Sequence, residues 1–136
     1  TDRKGWLHGI PIAIKDLGNG AGLPTSMGSP LFADTIAVED DILVERLKAA
    51  GALVIGKTNT PEFGLGSHTF NPVFGATKNP YDRTKSAGGS SGGAAAALAA
   101  GMLSVADGAD MIGSLRYPAS WNNVYGMRSS FRLVPS

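Results

Sequence analysis

With 136 residues, 43% of them hydrophobic, the chain has the length of about one domain and enough apolar side chains to bury a core. Twelve Lys and Arg against eleven Asp and Glu leave a formal charge of +1, too balanced to point to a nucleic acid or an anionic membrane as partner. The absence of cysteine excludes disulfides and thiolate catalysis, and His8 and His68, far apart in sequence, make a poor structural zinc site.

No apolar run reaches the ~18 residues that span a bilayer, and no signal peptide opens the chain. Thr1-Asp2-Arg3-Lys4 reads as the middle of something, and Leu133-Val134-Pro135-Ser136 as a strand or loop cut short. A segment of a longer protein is expected, in a reducing cytoplasm. Glycine is over-represented: 19 residues of 136, about twice the usual share. The glycines flank short apolar runs and alanine-rich stretches, which suggests tight turns and close backbone approaches.

In chain order, Gly9 to Asp16 reads as a buried strand, its isoleucines spaced by two and its end marked by the polar pair Lys15-Asp16. Residues 18–30, rich in Gly, Pro, Ser and Thr, form a loop. Asp40 or Asp41 caps a helix whose apolar face is Ile42, Leu43, Leu47 and Ala50, and Gly51 stops it. Ala52-Leu53-Val54-Ile55 follows as a buried strand, giving a β-α-β unit with parallel strands. Pro61-Glu62-Phe63 opens a short helix. Residues 66–89 form a long ordered loop, Ala94 to Ala100 a helix entered by Gly92-Gly93, and Leu103 to Ala106 a short strand.

Gly88-Gly89-Ser90-Ser91-Gly92-Gly93 ahead of the alanine-rich helix has three readings from composition: a phosphate cradle, a turn that exposes a catalytic hydroxyl, or a solvated glycine-serine loop. Gly51 to Thr58 matches the P-loop pattern, but that motif needs a strand before its first glycine and a helix after its lysine. Here a helix precedes Gly51 and a strand fills the supposed loop, so nucleotide binding is rejected.

A second block, Gly108-Ala109-Asp110-Met111-Ile112-Gly113-Ser114-Leu115-Arg116-Tyr117-Pro118-Ala119, resolves the ambiguity. Together with the strand ending on Lys15 and the Ser90-Ser91 block, it resembles the amidase-signature family over about Gly9 to Arg128. Gly56-Lys57-Thr58-Asn59 and Asn71-Pro72 extend the similarity. The resemblance implies a three-layer α/β/α core with a mixed sheet, of which residues 1–136 supply a part. It implies a Ser-Ser-Lys triad that cleaves carboxamides without metal or organic cofactor: Ser114 the nucleophile, Ser90 the bridging serine on a cis peptide bond, Lys15 the base. It makes the amides of Met111, Ile112, Gly113 and Ser114 the oxyanion hole, Ser91 a support for the triad, and Gly64 part of the substrate-lining loop. The chemistry agrees. A serine hydroxyl needs a base, and burial lowers a lysine's ordinary pKa of about 10.4 toward neutrality.

Ile112 stands where the family has a glycine, Ala109 where it has Thr or Ser, and Arg128-Ser129-Ser130-Phe131 departs from the usual proline and glycine. Other roles stay open: Ser114 as a helix cap, and Asp110 and Arg116 as substrate contacts or as a structural ion pair. His68 reads as a loop residue, and Trp6, Trp121 and Tyr125 as packing residues. The expected partner is a small-molecule amide, with neither nucleic acid nor membrane. The rest of the fold or a second copy of the chain is expected to cover apolar faces left bare, an aggregation hazard otherwise. The alternatives are a catalytically inactive remnant and an amidotransferase subunit.

Overall fold

The structure, a computed structural model, describes residues 5–134. Strand β1 (Pro11–Lys15) and strand β2 (Leu53–Thr58) form a parallel pair, joined by helix α1 (Ile42–Ala49). This is the β-α-β unit that the alternation of apolar residues predicts, and the chain is an α/β protein. A 3-10 turn at Pro30–Phe32 and another at Glu62–Gly64 interrupt the connecting loops. The stretch expected to be a long loop also carries a two-residue antiparallel pair, β3 (Phe70–Asn71) with β4 (Gly75–Ala76). The Asn71 side chain builds its turn by accepting from the amides of Val73 and Phe74 at 3.0 and 2.7 Å. Helices α2 (Gly92–Ala99) and α3 (Arg116–Trp121) complete the elements.

The layers follow from the two-residue period of β1. Ile12 points to one face and packs with Leu7 and Ala52, against Leu47 and Ala50 around α1. Ala13 points to the other, where it lines an open cavity of about 500 Å³ with Ala96 and Ala97 of α2. Lys15 shares the α2 face. The register shifts between Ile12 and Ala13, leaving Ile55 as the extra residue of β2.

Four expectations need correcting. The α1 residue sealed in the interior is Val44, which lies beside Gly20 of the loop after β1, and Ile42 is exposed. Asp41 does occupy the N-cap position, but its carboxylate accepts from the amide of Asn19 at 2.8 Å instead of from α1. Strand β2 is not buried: Leu53 and Ile55 are 56% and 60% exposed, since no further layer covers them. Leu103 to Ala106 forms no strand. The N–H of Lys15, on the β1 edge away from β2, donates to the Asp107 carboxylate at 2.6 Å, so a side chain takes the edge a strand would use. Leu133 and Val134 take the loop of the two alternatives expected there, and Thr1 to Lys4, Pro135 and Ser136 lie outside the described residues.

Gly51 ends α1 as expected, at φ +93°, a conformation costly for residues with a side chain. A Cβ there would sit 2.7 Å from the His8 backbone. The strand β2 occupying residues 53–58 removes the P-loop geometry, and Lys57 turns inward. Its Nζ donates to the Gly18 carbonyl at 2.6 Å and the Thr25 hydroxyl at 3.0 Å, and lies 3.5 Å from Asp16. No helix among the described residues is long and apolar enough to cross a membrane.

Candidate active site

The site forms where β1 ends and α2 begins. Two glycines bring the start of α2 onto the chain: a Cβ on Gly92 would lie 2.3 Å from the Thr69 hydroxyl, and one on Gly93 2.3 Å from the Asn59 backbone nitrogen. The close approach is sealed by hydrogen bonds from the Gly92 amide to Thr69 Oγ1 at 3.0 Å and from the Gly93 amide to the Asn59 carbonyl at 3.2 Å. Just upstream the Gly89–Ser90 peptide is cis. Asn122, fully buried, ties this loop to α3, its Nδ2 donating to the carbonyls of Ala87 and Pro118, each at 2.7 Å.

Lys15 and Ser90, 75 positions apart, meet here: Nζ donates to Ser90 Oγ at 2.7 Å and to Ser91 Oγ at 3.0 Å. Lys15 is 1% exposed. Burial pushes its ammonium down from 10.5 to about 8, against the opposing pull of Asp107 and Asp110. Ser91 also bonds both main-chain groups of Ala109 at 3.3 Å, linking the lysine to the segment before α3. The helix thus gives up its N-cap bond, since Ser91 sits at that position but spends its hydroxyl on these partners.

Ser114 is brought close by its backbone, whose carbonyl accepts from the Ser91 amide at 3.0 Å. Among the described residues its hydroxyl makes no hydrogen bond, so the structure joins Lys15 to Ser90 but does not join Ser90 to Ser114. It is not a helix cap either, for Leu115 holds that position. Met111 and Ile112 are 86% and 79% exposed. Their amides and that of Ser114 donate no hydrogen bond among the described residues. The Gly113 amide differs from the expected oxyanion donor: it is already engaged, donating to Asp110 Oδ1 at 2.8 Å. Gly64 packs against Leu17, two residues beyond Lys15 in sequence.

Asp110 organises this turn. Its carboxylate accepts from the amides of Gly113, Leu115 and Arg116 and pairs with the Arg116 guanidinium, Nε at 2.9 Å and Nη2 at 3.0 Å. The guanidinium first, then these amides, hold its pKa well below the usual carboxylate range. Of the two readings for Asp110 and Arg116, the ion pair is the one observed. His68 bonds Ser86 at 3.0 Å and leans on Trp121, with ring centroids 5.6 Å apart. Trp6 and Tyr125 are exposed rather than packed, for want of a covering layer. The backbone conformations of Met27 and Phe63 have no signal in the sequence. Both hold positive φ, 52° and 54°, and the Met27 carbonyl accepts from the Phe63 amide at 2.8 Å. Among the described residues no group of His, Asp or Glu is disposed to hold a metal ion.

A parallel β-α-β frame ending on a buried lysine, bonded to serines at the start of a helix, defines an α/β protein with a lysine–serine centre. The Amidase family model matches residues 1–136, and the chain belongs to that family. It is 50% identical over 130 residues to a subunit of the glutamyl-tRNA(Gln) amidotransferase of Alkaliphilus metalliredigens, covering 96% of this chain and 26% of the relative. It is 46% identical over 134 residues to an acylamidase of Rhodococcus erythropolis, covering 98% of this chain and 28% of the relative. The crystal structure of the corresponding glutamyl-tRNA(Gln) amidotransferase subunit from Thermotoga maritima superposes with a TM-score of 0.83 at 44% identity, over 88% of this chain and 26% of that one. The chain therefore spans about a quarter of the length of these relatives.

Proposed function

We propose that the protein carrying this chain hydrolyses a linear carboxamide through a serine nucleophile and a lysine base. Ser114 Oγ attacks the amide carbon and passes its proton to Ser90, which passes its own to neutral Lys15. The oxyanion is met by the amides of Met111, Ile112 and Ser114, while the Gly113 amide serves Asp110. When the C–N bond breaks, Lys15 returns the proton through Ser90 to the leaving amine, and water then cleaves the acyl-Ser114 ester by the same relay. The observation that carries this reading is the 2.7 Å bond between Ser90 and a buried lysine whose pKa is pushed to about 8. At pH 7 about one such lysine in ten is neutral, several hundred times the share of an exposed one.

Ser91 steadies Lys15, and Gly64 lies in the wall on the Leu17 side. Residues 1–136 act as part of one domain, in a cytoplasmic enzyme whose remaining fold, or a second copy of the chain, covers Leu53 and Ile55. The substrate is a small amide, and the mechanism calls for no cofactor.

The similarity to an amidotransferase component favours one second reading, in which the same relay releases ammonia for a partner enzyme. Intact mass after treatment with a fluorophosphonate tests the shared chemistry. A single adduct is expected, mapped to Ser114, lost in Ser114→Ala and greatly slowed in Lys15→Ala. A folded protein that takes no adduct is an inactive remnant. Hydrolysis of a simple aryl amide, lost in Ser114→Ala, separates the stand-alone amidase from a component that works only with its partner.

A further inference from the structure

Lys15 is held by more than its two serines. Its Nζ has hydroxyl partners, Ser90 and Ser91, and among the described residues no carboxylate lies within ion-pair distance of it. A carboxylate is nevertheless bonded to the same residue: Asp107 Oδ1 accepts from the Lys15 main-chain N–H at 2.6 Å, across 92 positions of sequence. Asp107 is half-buried, and burial raises its pKa while the Lys15 N–H and the charges of Lys15 and Lys57 work against that rise. The other charged groups around Lys15 are committed elsewhere. Asp16 accepts from the amide and hydroxyl of Ser26 and pairs with Lys57, and Asp110 pairs with Arg116.

We propose that Asp107 is a positioning residue for Lys15, fixing the main chain where the lysine leaves β1 and balancing its ammonium from a distance. The placement has a chemical reason. A carboxylate bonded directly to Nζ would lock the lysine as a cation and compete with Ser90 for its protons. Set on the main-chain N–H, the charge acts through space and leaves Nζ to the hydroxyls. Asp107 thus sets the pH at which Lys15 is ready to accept a proton. This rests on Lys15 as the base of the reaction proposed above, but its test does not need turnover.

Lysine labelled with ¹³C at Cε gives the Lys15 titration directly by NMR, with the Lys15→Met variant identifying the signal. In Asp107→Asn an acceptor for the main-chain N–H remains and only the charge goes. The Lys15 midpoint is expected to move to lower pH, by about one pH unit for the loss of a nearby opposite charge. Asp107→Ala is expected to move it likewise and also to shift the Lys15 backbone amide resonance. An unchanged midpoint in folded Asp107→Asn protein overturns the proposal. So does an Asp107→Asn protein that fails to fold, since the residue then serves the whole fold and not Lys15. A shifted midpoint without fluorophosphonate labelling of Ser114 leaves Asp107 in its role and removes the hydrolase reading. Labelling with an unshifted midpoint does the reverse.

Discussion

Replacing Lys15 by methionine tests the cost of keeping an ammonium inside the fold. Lys15 titrates near 10.5 in an unfolded chain and at about 8 in the folded one. Between these values the unfolded state binds more protons, so wild-type stability rises with pH across that window. At about 1.4 kcal/mol per pH unit, the full rise is about 3 kcal/mol. Below pH 8 the penalty is wholly present, and above 10.5 it is gone. Methionine fills similar volume and carries no charge, so Lys15→Met escapes this penalty but leaves Ser90 and Ser91 without their donor. That second loss does not depend on pH. Lys57, whose pKa burial also lowers, is common to both proteins and cancels from the comparison. Urea unfolding followed by tryptophan fluorescence, from pH 7 to pH 10.5, gives the stability difference at each pH. Wild type is expected to gain about 3 kcal/mol on the variant over the series. A difference that stays flat refutes the depressed lysine.

Four further substitutions, with one control, probe the frame around the site. Asp110→Ala removes the acceptor for three amides and a guanidinium, and should lower stability by roughly 2–4 kcal/mol. Arg116→Ala, at an exposed side chain, should cost about 1 kcal/mol or less, and equal losses in thermal or urea unfolding would contradict the assignment of Asp110 as the organiser. Gly93→Ala drives a Cβ to within 2.3 Å of the Asn59 backbone and should cost about 1–3 kcal/mol, whereas Gly56→Ala meets nothing within 4 Å and serves as the unhindered control in the same unfolding assay. Asn122→Ala strips the Ala87 carbonyl of its donor in a fully buried position and leaves Pro118 only the main-chain N–H of residue 122, for an expected loss of about 1–3 kcal/mol by urea unfolding, and a neutral result would mean that water replaces the amide.

What the sequence made legible was local. The isoleucine spacing before Lys15, the Gly51 stop and the Gly92-Gly93 entry to an alanine run are each visible within a few residues, and each became the element expected. The Lys15, Ser90 and Ser114 blocks were found through their joint resemblance to a family, not through periodicity. What escaped depended on distant partners. Nothing near Leu103 reveals that Asp107 will cap the edge of a strand 92 positions earlier, so a strand was expected where a side chain had closed the ladder. Val44 was passed over because which side of α1 is covered is a tertiary matter. The engagement of the Gly113 amide follows from Asp110 three residues before it, a local signal of the kind by which aspartates gather turn amides. The positive φ of Met27 and Phe63 had no such signal, because neither residue type favours that conformation.

The burial of Lys15 also means that folding itself arms this residue. On an open chain, with a pKa of 10.5, about one lysine in three thousand is free base at pH 7; with α2 closed over it and a pKa of about 8, about one in ten is. Closure requires segments 75 positions apart to meet, a contact that a nascent or partly unraveled chain lacks. Proton-accepting power is thereby withheld until the chain has completed its long-range contacts, and a chain whose Ser90 segment has not yet met β1 carries an ordinary, inert lysine.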